Sequence, residues 1–308
     1  MIIVLGIGLR PNIDAYIEIL TDLSLRVYPT PYKLFAKLDA ETTQAGISVV
    51  LADQIASIAL PAYMSSAKIV AHRSLTTSEL FPARRQDIAL QRLIEQYRFS
   101  RSSFLNESVL DIMRKYDVKY VITFSGTDLD LQLHLAPQWF EWQIDDQSLT
   151  LYKVREIPSV TATLQGNTAM ESRQWAAGRQ KFEEALKQNP NDALALMGLS
   201  EYYRINGDYP QALSTLQYVA ALSDVSDLHN RLGRLHAQMG QYDQAIAELD
   251  AAQKDSPGIS DYHLDLGTAC LATGDQACAD QQFQASVEAQ GQTDPATKLI
   301  SLAGIWQG

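Results

Sequence analysis

Short apolar runs separated by polar stretches of helical period dominate the first half of the chain. Ser48-Val49-Val50-Leu51, Lys68-Ile69-Val70-Ala71 and Lys119-Tyr120-Val121-Ile122-Thr123-Phe124 are too short for helices and rich in β-branched residues, so they predict buried strands. Residues 31–42, 53–60, 83–98 and 106–116 predict helices between them. In the last of these, Val109, Ile112, Met113 and Tyr116 follow an i, i+3, i+4, i+7 pattern. Trp139 to Ile144, then Asp145-Asp146-Gln147, then Ser148 to Val154 predict a β-hairpin with both aspartates in its turn. Strands alternating with helices predict a small three-layer α/β domain with a parallel core and a C-terminal hairpin. The longest apolar run, Met1 to Leu9, ends at Arg10-Pro11. A spanning helix needs about 20 such residues. The run is therefore read either as a buried N-terminal strand or as the stub of a membrane helix.

The second half repeats. Gly207-Asp208-Tyr209, Gly240-Gln241-Tyr242 and Gly274-Asp275-Gln276 are spaced by 33 and 34 residues. Each is followed at a fixed offset by alanine (Ala212, Ala245, Ala279) and then by a large apolar residue (Leu216, Leu249, Phe283). Leu199, Leu232 and Leu266 hold equivalent places before each turn. Trp175, Phe182, Ala185 and Asn189-Pro190 form an earlier, degenerate copy. The pattern resembles the tetratricopeptide repeat (TPR), a helix–turn–helix unit of 34 residues. The resemblance covers about residues 160–292 and implies an α-solenoid of about four hairpins. Residues 295–306 are expected as a capping helix, with Asp294 as its N-cap and Pro295 in its first turn. Small residues such as Gly233 and Ala245 belong where the two helices of one hairpin cross. The turn glycines permit positive φ at the end of the first helix, and Pro190 and Pro257 stop the second helix.

Charge marks the same division. The whole chain carries a formal −11, of which −2 falls in residues 1–158 and −9 in 159–308. Glu156 to Thr163, with Pro158 and small polar residues, is the expected boundary. The domains are thus read as 1–158 (α/β) and 159–308 (helical repeats). An acidic chain lacks the basic face that would replace counterions on phosphates, so no nucleic-acid partner is expected.

The first half carries a second resemblance. Val49-Val50-Leu51-Ala52, Leu60-Pro61-Ala62-Tyr63, Lys68-Ile69-Val70-Ala71-His72, Tyr116-Asp117-Val118-Lys119-Tyr120-Val121-Ile122 and Leu149-Thr150-Leu151-Tyr152-Lys153-Val154 are similar to segments of the soluble extracytoplasmic domain of bacterial GT-C type membrane glycosyltransferases. It covers about residues 30–155. It implies a non-catalytic region, anchored in a membrane by an absent N-terminal segment and lying extracytoplasmically, in the periplasm or at the cell surface. A glycan acceptor is a further partner it implies.

No complete catalytic or cofactor motif stands out. Gly6-x-Gly8 lacks the third glycine of a dinucleotide fingerprint, since position 11 is proline. Neither a phosphate-binding loop nor a Gly-x-Ser-x-Gly elbow is present. His229 and His236 are seven residues apart, about 10.5 Å along a helix, too far to share a metal. They and His263 read as packing residues. No cofactor or metal is therefore expected, and the chain is read as non-enzymatic. Cys270 and Cys278 read either as packing thiols or as a disulfide, which needs Cα atoms within about 7 Å. Asp128 and Asp130 follow a strand end, where α/β sheets place ligand groups. They read as a solvated loop, or alternatively as the acid–base pair of a free-standing α/β enzyme.

In the TPR family, first-helix residues line a concave groove that takes a peptide or partner helix. The matching positions here are Glu201, Arg204 and Ile205, then Asn230, Arg231 and Arg234, then Asp265 and Thr268. Three arginines on one face of an acidic domain suit a carboxylate or acidic segment. The competing reading is a solvated face of internal salt bridges. The expected function is a protein–protein interaction scaffold, with an accessory role beside a sugar transferase as the alternative.

Overall fold

The computed structural model describes residues 32–45, 48–52, 67–70, 88–146, 149–223 and 225–291. The expectations for Met1–Leu9, Gly6 and Gly8, residues 53–60 and the capping helix 295–306 lie outside the described residues.

The first half contains α1 (Tyr32–Ala45), β1 (Ser48–Ala52), β2 (Ala67–Ile69), α2 (Ile88–Arg101), α3 (Glu107–Tyr116), β3 (Val118–Phe124), α4 (Asp128–His134), β4 (Phe140–Asp146) and β5 (Leu149–Val154). The sheet order is β2-β1-β3-β5-β4. β1 runs parallel to both β2 and β3, and the β4–β5 hairpin joins antiparallel through β5 on β3. Alternation along the strands divides the side chains between two faces. Val50, Tyr120, Ile122 and Leu151 pack with Leu34, Phe35 and Leu38 of α1. Leu51, Val121 and Tyr152 pack with Phe99 of α2 and Val109, Leu110 and Met113 of α3. The result is the three-layer arrangement that the alternation of strands and helices predicts.

The local signals are physical. Asn106 caps α3 by accepting from the Val109 amide at 3.0 Å, and Asp117 ends it in the left-handed conformation at φ 49°. Two expectations need correction here. Asp128 and Asp130 lie in helix α4, not in a solvated loop: Thr127 caps it by accepting from the Asp130 amide at 3.3 Å. Asp145 and Asp146 close strand β4 rather than forming the hairpin turn. Asp146 accepts from the amides of Lys33 and Leu34 at 2.8 and 3.1 Å, which satisfies donors in the first turn of α1.

The described residues of the second half form four helix hairpins: α5 (Ala162–Glu171) with α6 (Trp175–Gln188), α7 (Ala193–Ile205) with α8 (Tyr209–Leu222), α9 (Ser226–Gln238) with α10 (Tyr242–Asp255), and α11 (Ser260–Thr273) with α12 (Gln276–Gly291). Gly207, Gly240 and Gly274 turn each of the last three hairpins at φ 72–83°. At Gly233 a β-carbon would lie 2.5 Å from Leu249 Cγ and 3.1 Å from the Ala245 carbonyl oxygen, so the helices of this hairpin cross at the small residues. His229 and His263 repeat one contact, each Nδ1 reaching the second helix of its hairpin: Glu248 at 2.7 Å and Gln282 at 2.8 Å.

One apolar cluster runs through both halves. It joins Leu105, Leu129, Leu131 and Leu133 to Leu164 of α5, Leu194 and Met197 of α7, and Leu228 and Leu232 of α9. Buried amides stitch the same seam. Gln132 Oε1 accepts from the Leu105 amide (2.9 Å) and from Asn167 Nδ2 (2.9 Å), and Asn167 Nδ2 also donates to the Leu105 carbonyl at 2.8 Å.

Candidate functional site

The first helices of successive hairpins supply the concave side chains, and α4 of the sheet domain approaches them. Glu201, Arg204, Arg231 and Arg234 surround a cavity of about 100 Å³ together with Asp128. A second cavity of about 130 Å³ shares Asp128, Glu201 and Arg231 and adds Phe104, Trp175 and Ile205. The structure therefore places the three arginines around one cavity.

Each guanidinium already has a carboxylate. Arg204 makes a two-point contact with Glu201, at 2.7 Å from Nε and 2.6 Å from Nη2. That hydrogen-bonded pairing holds the Arg204 pKa above its ordinary value, against the opposing effect of burial. Arg231, mostly buried, is paired with Asp128 of the other half. Arg234 Nε lies 3.8 Å from Asp265 Oδ2, which also accepts from Asn230 Nδ2 at 3.0 Å. Burial raises the Asp265 pKa, and the Asn230 hydrogen bond and the Arg234 charge pull it back. Thr268 does not join this network: its hydroxyl donates to the Leu264 carbonyl one turn earlier, at 2.8 Å.

Asp128 and Asp130 do not form a shared acid–base site. Asp128 faces the arginine cavities, whereas Asp130 lines a different cleft. Asp130 is buried, at 3% exposure. Its carboxylate accepts from the Thr123 hydroxyl (2.6 Å), the Tyr152 hydroxyl (2.8 Å) and the Gly126 amide (3.0 Å). Burial raises its pKa, and those three donors pull it back. Cys270 and Cys278 are joined as a disulfide, with Cα atoms 5.8 Å apart, linking α11 to the start of α12.

Sequence reasoning missed the Gln132–Asn167 pair and the buried Asp227. Thr127 and Asp130, spaced as a capping box, were a readable sign of α4. Nothing local marks Asp227, because its burial comes from the facing domain.

Models of the tetratricopeptide repeat match residues 163–226 and 203–264. Residues 163–264 of the helical half thus carry tetratricopeptide repeats. A TPR repeat-containing protein of Pseudomonas aeruginosa is 33% identical over 94 residues, which is 30% of this chain and 38% of that protein. The matched TPR segment thus spans well under half of that relative's length. Among solved structures, MamA of Desulfovibrio magneticus aligns at TM-score 0.42 and 21% identity, over 43% of this chain and 76% of that one. A thermophilic TPR protein of Thermus thermophilus aligns at TM-score 0.40 and 20% identity, over 47% of this chain and 80% of that one. At those values neither structure speaks to what this TPR array binds. Among the described residues, no helix is long and apolar enough to cross a membrane.

Proposed function

We propose that this chain is a non-catalytic protein-interaction scaffold whose TPR groove takes an acidic segment of a partner at Arg204, Arg231 and Arg234. The observation that carries this reading is the occupied groove itself: the carboxylate of Asp128, from another domain, already sits on Arg231. A guanidinium fork offers a carboxylate paired donors, and a partner's carboxylate would take the place of Asp128. Asn230 of α9 and Asp265 and Thr268 of α11 extend the proposed surface.

The test is capture from an extract of the native cell. Replacing Arg231 and Arg234 with glutamate should abolish recovery of the bound partner, and Asp128→Asn, which releases Arg231, should increase it. Unchanged capture by the double variant would overturn the groove assignment.

The proposed setting is the extracytoplasmic face of a membrane, with an anchoring segment ahead of residue 1. The Cys270–Cys278 disulfide supports an oxidising compartment, where such bonds persist. The resemblance of residues 30–155 supports an accessory role beside a GT-C type transferase, positioning a glycan or protein acceptor. The gene upstream of residue 1 decides that part. A series of apolar 20-residue spans supports it, and a stop codon there defeats it.

A further inference from the structure

A second recess lies away from the arginine groove. It is a cleft of about 360 Å³, within the roughly 300–1,000 Å³ range of small-ligand sites. One wall comes from the carboxyl end of β3 and from the β4–β5 hairpin, the other from the start of α9 and the α10–α11 turn. Among the described residues, five carboxyl groups line it, Asp130, Asp145, Asp146, Asp227 and Asp255, against the basic groups of Lys33 and His134.

The partners of these carboxyls differ. Asp130 is held by three donors and Asp146 by two amides of α1. Asp145 accepts from Trp142 Nε1 at 2.9 Å. Asp227 is 6% exposed and lines the cleft. Among the described residues, its carboxyl oxygens have neither a hydrogen bond nor an ion pair. Arg231, one turn further along α9, is turned to Asp128 instead. Asp130 and Asp145 are near enough to repel its charge. An enclosed carboxylate without a donor is costly. Here like-charged neighbours add to that cost, and an incoming cation would relieve both.

We propose that this cleft binds the ammonium or guanidinium group of a lysine or arginine side chain presented by a partner protein, anchored by Asp227 and steered by Asp255 and Asp145. An organic cation fits better than a metal ion, because among the described residues no three His, Cys, Asp or Glu side chains converge to hold one. The site does not depend on the arginine groove, and it gives the scaffold a point of contact of opposite polarity.

The test is calorimetric titration of the full chain at low salt and at pH 9, where Asp227, its pKa pushed up to about 8, is ionised and the lysine ammonium is still charged. The probes are a capped Gly-Lys-Gly peptide, its arginine and norleucine counterparts, free n-butylammonium and calcium chloride. The basic peptides should bind saturably, the norleucine peptide should not, and n-butylammonium should bind more weakly than the lysine peptide. Asp227→Asn and Asp255→Asn should each weaken peptide binding about tenfold, the loss of one charge-assisted contact. Asp255 is exposed, so its variant tests the site without touching the core. Equal binding of the norleucine peptide, or affinity unmoved by both aspartate variants, overturns the site. Displacement of the peptides by calcium, or n-butylammonium binding as tightly as the lysine peptide, overturns the assigned ligand.

Discussion

Position 233 and position 207 are both glycine, for different reasons. A methyl group at 233 meets the branch carbon of Leu249 and a backbone oxygen, neither of which can swing aside. Helix propensity favours Gly233→Ala by about 1 kcal/mol, but overpacking costs about 1–3 kcal/mol. The expected result is a net loss of up to about 2 kcal/mol in urea unfolding. At Gly207 nothing lies within 4 Å of an added methyl carbon, and only the positive φ of 76° resists. Gly207→Ala should cost about 1 kcal/mol through the backbone alone. Both glycines were legible because each recurs at a fixed repeat offset. Asp227 was not. Burial, and then the charge of Asp130, push its pKa up to about 8; the Arg231 charge opposes them, and Asp145 and Asp128 add smaller pushes upward. In the unfolded chain it titrates near 3.9. Between about pH 4 and pH 8 the folded state therefore holds a proton that the unfolded state has lost. Stability should fall as pH rises through that window. Asp227→Asn should flatten the slope and exceed the wild type in stability at pH 8, as read by urea titrations at pH 5 and pH 8.

At the scale of elements, periodicity carried most of the fold. The strands at 48–52, 67–69 and 118–124 and the helix at 107–116 stand where apolar pattern put them, within a residue or two. Helix α4 escaped because it has only seven residues and two aspartates in its first turn. Those aspartates imitate a loop in composition while serving a capped helix end. The hairpin turn was misplaced for the opposite reason: Asp146, which suits a turn, is recruited to the strand end by first-turn amides of α1. The covalent link between α11 and α12 closes a short loop, and losing it should cost about 2–3 kcal/mol. Reduction should speed amide hydrogen exchange in the last hairpin and leave β3 and β5 protected.

For the molecule as a whole, the apolar seam between Leu105, Leu131 and Leu133 and the first two hairpins argues against independent halves. Calorimetry of the full chain should give one unfolding transition. A fragment of residues 159–308 should melt lower and aggregate, since Leu164, Leu194 and Met197 would lose their cover. The sequence reading sets a boundary near Pro158. It could not reveal this seam, because the leucines of α4 carry no sign of which neighbour they meet.

The Asp128–Arg231 contact also acts on choice of partner. A carboxylate fixed on the same chain competes at an effective concentration on the order of millimolar or higher, however dilute the protein. Solitary anions such as acetate would be shut out at ordinary levels. A ligand would have to bring several negative charges on one backbone, gripping Arg204 and Arg234 as it evicts the resident group. The device works as a threshold, and raising the ionic strength would lower the barrier and the reward together.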